Sequence, residues 1–121
     1  MTFTDLIGAP YKAHGRCREE GFDCYGLVLE CCRRAGTPLA DLDYHSPAFS
    51  LAEADGVKPC LNVQEVPGPK PGRIVEMDYN GKVHIGWMVD YNNVLHATER
   101  GVRLSALAAL KVRGYYEVGP E

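Results

Sequence analysis

The sequence predicts an α+β fold, and three observations carry that prediction. Apolar residues recur at helical spacing in the first half, over Cys24–Ala35. A stiff connector rich in Pro and Gly, VPGPKPG, occupies residues 66–72, and beyond it the apolar period changes to two. Asn80-Gly81 then sits between two alternating segments, the strongest short hairpin signal there is. A helical first half followed by antiparallel strands is an α+β arrangement.

The helix is read from its ends as well as its stripe. Asp23 is a good N-cap, and Cys24, Leu27, Val28, Cys31, Cys32 and Ala35 form one apolar face. Arg33 and Arg34 fall in the last turn, where they favour the dipole, and Gly36 is a natural stop. Between Thr37 and Asn62 the pattern is weaker. Leu39, Leu42 and Tyr44 are apolar positions in a polar background, Ser46-Pro47 is a turn or helix-start signal, and residues 49–55 are assigned one or two helical turns ending near Gly56. Strands are expected at 73–79, 82–90 and 94–98, with a turn at 91–93. A short helix is expected at 104–110 with Ser105 as its local cap, and a last strand at 112–118.

At 121 residues the chain is expected to be one domain, 1–121. Such a length buries roughly two-thirds of its unfolded surface, enough for a core without metal or disulfide staples. With 45% hydrophobic and 24% charged residues, global disorder is excluded. Thirteen Lys plus Arg against sixteen Asp plus Glu give a net charge of -3, so the chain lacks the basic excess of a general nucleic-acid binder. A local basic cluster remains in the first third, at Lys12, Arg16, Arg18, Arg33 and Arg34. No apolar run is long enough to span a membrane, and residues 1–16 do not have the form of a secretory signal, so synthesis in the cytoplasm without export by an encoded signal is expected. The five cysteines are Cys17, Cys24, Cys31, Cys32 and Cys60. An odd number with two adjacent fits reduced thiols better than a disulfide framework, and their spacing matches no zinc knuckle or ribbon.

Cys24 is the main candidate for chemistry. The first turn of a helix presents unpaired N–H groups and the positive dipole end, which favour a thiolate and can cradle an oxyanion. This predicts a lowered Cys24 pKa and the most reactive of the five thiols, with Cys31 and Cys32 buried further along the helix. Gly26 is expected to leave room for a substrate backbone. The alternative is that Cys24 is a small buried hydrophobe. A cysteine nucleophile needs a base, and the base needs an orienting partner. His84 and His96 fall on consecutive strands. A tight turn at Tyr91-Asn92 offsets them by about three residues, or roughly 10 Å. Whether they share a face depends on register, which the pattern leaves open. His14 and His45 fall in loop-like segments and receive no role.

The segments GAPYKAHGR, FDCYGLV, PKPGRIVEM, KVHIGWMV and VLHAT together resemble the NlpC-type family of cell-wall cysteine peptidases, a compact branch of the papain-like fold. The resemblance covers nearly the whole chain. It implies N-terminal helices carrying the nucleophile, packed on a C-terminal antiparallel sheet. It implies Cys24 as nucleophile, His84 as base, and His96 as the residue that orients the base. Tyr11 matches the tyrosine of a PYxxGG-like segment that lines the nucleophile site, and with the Cys24 N–H would donate to the oxyanion. Pro71, Gly72 and Arg73 match a PGD-like turn. Three positions depart from the family pattern. Tyr25 follows the nucleophile where free-standing wall hydrolases carry Ser, and so resembles the phage-tail-associated branch. His14 replaces a common Gly, and Arg73 replaces an acidic residue. Tyr25 either packs under a neighbouring loop or walls the cleft.

What the resemblance implies is hydrolysis of peptidoglycan stem-peptide amide bonds, γ-D-glutamyl to a diamino acid, without metal or organic cofactor. Arg16, and beside it Arg18, would receive a stem-peptide carboxylate; a solvated loop charge is the plainer reading of each. A phage or prophage tail placement, with tail proteins as partners and neither nucleic acid nor membrane, goes with it. The alternatives are a non-hydrolytic tail-tip or assembly module, and another thiol acyl-transfer enzyme on the same fold, such as an amidase, a transglutaminase-like protein or an antibacterial effector.

Overall fold

The computed structural model describes residues 3–41, 49–50 and 61–119. A 3-10 turn at Thr4–Leu6 leads into a short ribbon of β1 (Arg16–Cys17) and β2 (Gly21–Phe22). Helix α1 follows at Cys24–Ala35. The main sheet is antiparallel: β3 (Phe49–Ser50), β4 (Val63–Val66), β5 (Ile74–Tyr79), β6 (Lys82–Met88), β7 (Asn93–Thr98), β8 (Gly101–Ala106) and β9 (Val112–Val118). Six of its strands run in the order β4-β9-β5-β6-β7-β8, and β3 pairs with the start of β6.

The helix has the bounds its pattern predicts, with Asp23 capping it through Gly26 N–H and Gly36 closing it at φ 75°. It is the only α-helix among the described residues. Its apolar face, Leu27, Val28, Cys31 and Cys32, lies on β6 and β7 and meets Phe22, Ile74, Trp87, Leu95 and Val102 in the main core. The opposite side chains of the same strands, Val75, Met77, Met88 and Val94, form a second cluster covered by Leu107, Leu110, Val112 and Tyr115. Alternation along each strand therefore feeds two apolar layers.

Asn80 and Gly81 adopt φ 56° and 82° between the paired residues Tyr79 and Lys82, the geometry of a two-residue primed turn. Three expectations are corrected. Residues 104–106 belong to β8, and only Leu107–Ala109 form a 3-10 turn, because β7 offers residues 101–106 a full ladder of partners. Phe49–Ser50 are a strand paired to Val83 and Lys82 rather than the start of a helical turn. Val63–Val66, where no strand was expected, pairs with β9. Leu42, Tyr44, Ser46-Pro47, the rest of the expected 49–55 turn and Cys60 lie outside the described residues.

Each member of the basic cluster of the first third is bonded within the fold. Lys12 pairs with Glu20, Arg16 with Asp23 and Asp41, Arg33 with Glu30, and Arg34 with Glu30 and Asp5, while Arg18 donates to the Asp5 carbonyl. Among the described residues no helix is long and apolar enough to cross a membrane.

Candidate active site

The site begins at Asp23. This carboxylate is fully buried and accepts from Gly26 N–H at 2.7 Å and His14 N–H at 2.8 Å, with the Arg16 guanidinium at 3.3 Å. It therefore caps the helix and ties the 11–15 loop to its first turn. His14 sits at φ 62°, a left-handed conformation that glycine adopts at least cost, which accounts for a glycine being common at that place in the pattern the sequence resembles. Gly26 does not leave room for a substrate. A Cβ there would lie 2.0 Å from the Gly15 carbonyl oxygen and 2.9 Å from Arg16, so its space is taken by the loop itself.

Cys24 opens the helix and is only 9% exposed. Burial pushes its thiol up to about 11, against backbone N–H groups of Ile85, Tyr25 and Cys24 that favour the thiolate. A helix terminus supplies about 0.3–1 kcal/mol, up to roughly 2 in partly buried geometry, and here desolvation exceeds it. The expected lowering is thus replaced by a resting neutral thiol. The Ile85 N–H is available because β6 pairs with β7 only at Trp87 and Met88. Ahead of Trp87 the ladder to β7 stops, and the Ile85 N–H beside His84 serves the Cys24 sulfur at the helix start.

His84 Nε2 lies 3.0 Å from His96 Nδ1, and His96 Nε2 lies 2.7 Å from Ser105 Oγ. The pairing of Trp87 with Leu95 and Met88 with Val94 sets the register. Continued along the strands, it offsets the two histidines by two residues, not three, and so places them on one face. The connection spans Val89–Asn93, whose ends are bonded, and is one residue longer than a tight turn at Tyr91-Asn92. One residue reverses the parity of a strand. Gly86 permits the close crossing: a Cβ there would lie 2.5 Å from Val94 and 3.2 Å from the His96 Cβ. Burial and the neighbouring His96 hold His84 down to about 3; burial and the Arg103 charge lower His96. Both rings are therefore neutral at pH 7.

Ser105 is the site residue that sequence reasoning missed, because the 104–110 segment was read as a helix. Its signal was available: counting back along a strand paired to β7 puts Ser105 diagonal to His96. Tyr11 bridges to Phe22 beside the helix start and is 37% exposed. Burial and the charges of Asp23, Cys24 and Glu99 raise its phenol. Tyr25 is 5% exposed and its hydroxyl donates to the Ala40 carbonyl, so the ring packs beneath the chain at residues 39–41. Arg16 reaches both Asp41 oxygens at 3.1 and 3.2 Å and the Gly15 carbonyl at 2.9 Å, contacts that occupy its guanidinium within the fold. Arg73 pairs with Glu117 at 3.0 Å and donates to Gly68, joining the Pro71–Arg73 turn to β9. Cys17, Cys24, Cys31 and Cys32 are free thiols, and Cys31 and Cys32 are fully buried.

No family model matches the sequence, and no curated protein matches it significantly. Among solved structures, the chain is similar to a crystal structure from Staphylococcus aureus, described as similar to lipoprotein and of the NLP/P60 family, with a TM-score of 0.66 and 19% identity. The match covers 97% of this chain and 39% of the staphylococcal chain, so the present chain spans well under half of that protein. The chain thus has the fold found in this NLP/P60 protein, an α+β fold in which helix α1 packs on an antiparallel sheet.

Proposed function

We propose that this protein is a cysteine hydrolase acting on peptidoglycan stem-peptide amide bonds, with γ-D-glutamyl to diamino acid as the bond cleaved. The observation that carries the reading is the hydrogen-bonded row His84–His96–Ser105 at the strand whose Ile85 N–H reaches the Cys24 sulfur. The fold shared with an NLP/P60 protein and the motif resemblance supply the substrate class. Tyr25 after the nucleophile is what supports a tail-associated placement.

In this reading Ser105 accepts from His96 Nε2–H, His96 Nδ1 accepts from His84 Nε2–H, and His84 Nδ1 is left basic. Cys24 Sγ attacks the amide carbonyl carbon as its proton passes to His84. The C–S bond forms, the oxyanion takes the Cys24 N–H and the Tyr11 hydroxyl, and His84 delivers the proton to the leaving amine as the C–N bond breaks. Water then attacks the thioester with His84 as base, restoring the thiol and releasing the acid. Because both partners rest neutral, proton transfer accompanies attack rather than preceding it. Burial of Cys24 also favours a second reading, a non-hydrolytic module on the same fold.

Purified sacculi incubated with the protein, with released fragments identified by mass spectrometry, test the reading. Fragments ending in γ-D-glutamate are expected from wild type and none from Cys24→Ala. His84→Ala should lose on the order of 10² to 10⁴ in rate. His96→Ala and Ser105→Ala should lose less, since water replaces an orienting partner in part. Release by Cys24→Ala, or full activity in His84→Ala, overturns it; no release by wild type leaves the non-hydrolytic module.

A further inference from the structure

Beside the histidine pair, on the β7–β8 side, lies an open hollow of about 300 Å³ lined by Tyr79, Thr98, Glu99, Arg100 and Arg103. Two contacts join it to the site. The Tyr79 ring lies 5.0 Å from the His84 ring at 36°, and Arg103 stands opposite His96 in the β7–β8 ladder, close enough for its charge to act on that imidazole. One rim of the hollow is a tight turn. Thr98 Oγ1 donates to the Gly101 carbonyl and accepts from Arg100 N–H, which sets Glu99 and Arg100 at the hairpin tip.

The arginines of this hollow differ from the rest. Arg16, Arg33, Arg34, Arg73 and Arg113 are each ion-paired, and Arg18 is bonded to a backbone carbonyl. Arg100 and Arg103 have no carboxylate within ion-pair distance among the described residues, although Glu99 shares their hollow. With two guanidiniums and one carboxylate, the hollow keeps a single excess positive charge. That suits one carboxylate better than a dianion, and guanidiniums bind carboxylates in a directed, two-pronged way.

We infer that this hollow is a carboxylate subsite, in which Arg100 and Arg103 hold the free carboxylate of the residue next to the cleaved bond while Tyr79 covers it beside His84. The inference rests on the hydrolase reading for its substrate: a γ-linked glutamyl residue leaves its α-carboxylate free near the reacting carbonyl.

The test measures binding apart from turnover. Cys24→Ala protein is titrated calorimetrically at low ionic strength with γ-D-glutamyl-lysine and with the same dipeptide as its α-carboxamide. The acid should bind about tenfold more tightly than the amide, as a charged hydrogen bond removed would give, and 0.5 M salt should reduce the ratio. Arg100→Gln with Arg103→Gln should bring the ratio below threefold. Glu99→Gln should raise it. Both arginines are exposed, and a thermal melt verifies that the variants fold. Equal binding of acid and amide, no binding of either, or a ratio that survives the double substitution overturns the subsite. Wild-type protein is assayed in parallel on both dipeptides. Absence of hydrolysis there, with the arginine-dependent ratio intact, rejects the hydrolase reading while the subsite stands.

Discussion

Replacing Asp23 by alanine removes the acceptor of two backbone donors at once, the buried Gly26 N–H and the part-buried His14 N–H. Gly26 N–H and His14 N–H lie 2.7 and 2.8 Å from its two oxygens, and the carboxylate is fully buried. Leaving a buried N–H unsatisfied costs about 1–3 kcal/mol. For Gly26 that cost includes the lost helix cap, itself about 0.5–2 kcal/mol. The Arg16 contact at 3.3 Å adds little, since the guanidinium keeps Asp41 and the Gly15 carbonyl and the cost of burying the carboxylate is relieved. The sum is about 3–4 kcal/mol, the larger part of it at the two backbone donors. For a chain of 121 residues each kcal/mol lowers the melting temperature by about 3–4 °C, so Asp23→Ala should melt roughly 10–15 °C below wild type. Asp23→Asn keeps one carbonyl oxygen in place and should lose about half as much. Urea unfolding at pH 7, with a thermal melt alongside, reads both. A loss under about 1 kcal/mol in Asp23→Ala would mean that the two N–H groups find other partners, and the role assigned to Asp23 as the tie between loop and helix would be wrong.

Tyr25→Ser should cost about 3–5 kcal/mol, as large aromatic truncations in cores do, and Tyr25→Phe about 1 kcal/mol for the hydroxyl bonded to Ala40; a Ser variant that melts like wild type refutes the buried placement. Because burial pushes the Cys24 thiol up to about 11, iodoacetamide at pH 7 should mark the half-exposed Cys17 before Cys24, reversing the order that chain position alone predicts. Cys24 alkylation should then rise about tenfold per pH unit through pH 8–10, and a plateau near neutral pH would instead reveal a Cys24–His84 ion pair. His84 is held down to about 3 from an unfolded value of 6.5, so the unfolded chain binds the extra proton between those values. Its contribution is complete above pH 6.5 and is lost as pH falls towards 3, by up to about 1.4 kcal/mol per pH unit. Urea unfolding at pH 7, 5 and 4 should show that slope in wild type and a shallower one in His84→Gln. Equal slopes would remove His84 from the linkage.

Short-range determinants account for what the sequence alone established. The bounds of the helix, Cys24–Ala35, follow from a cap, an apolar stripe and a glycine stop, all within fourteen residues, 23–36. The Asn80-Gly81 hairpin follows from two residues that tolerate left-handed backbone. The buried state of Cys31 and Cys32 follows from their place on the stripe. The order of tyrosine, cysteine and two histidines also needs no coordinates. Tertiary structure decided the properties that depend on residues distant in the chain. Strands β3, β4 and β8 exist because β6, β9 and β7 offer them ladders, and in β3 and β4 two or four residues carry too little pattern to announce a partner. The histidines share a face because the loop between their strands is one residue longer than the tightest turn, a difference that reverses every side chain beyond it. The Cys24 thiol is neutral because the sheet closes over it. Desolvation is set by everything packed around an atom, whereas the helix terminus that favours the thiolate is local.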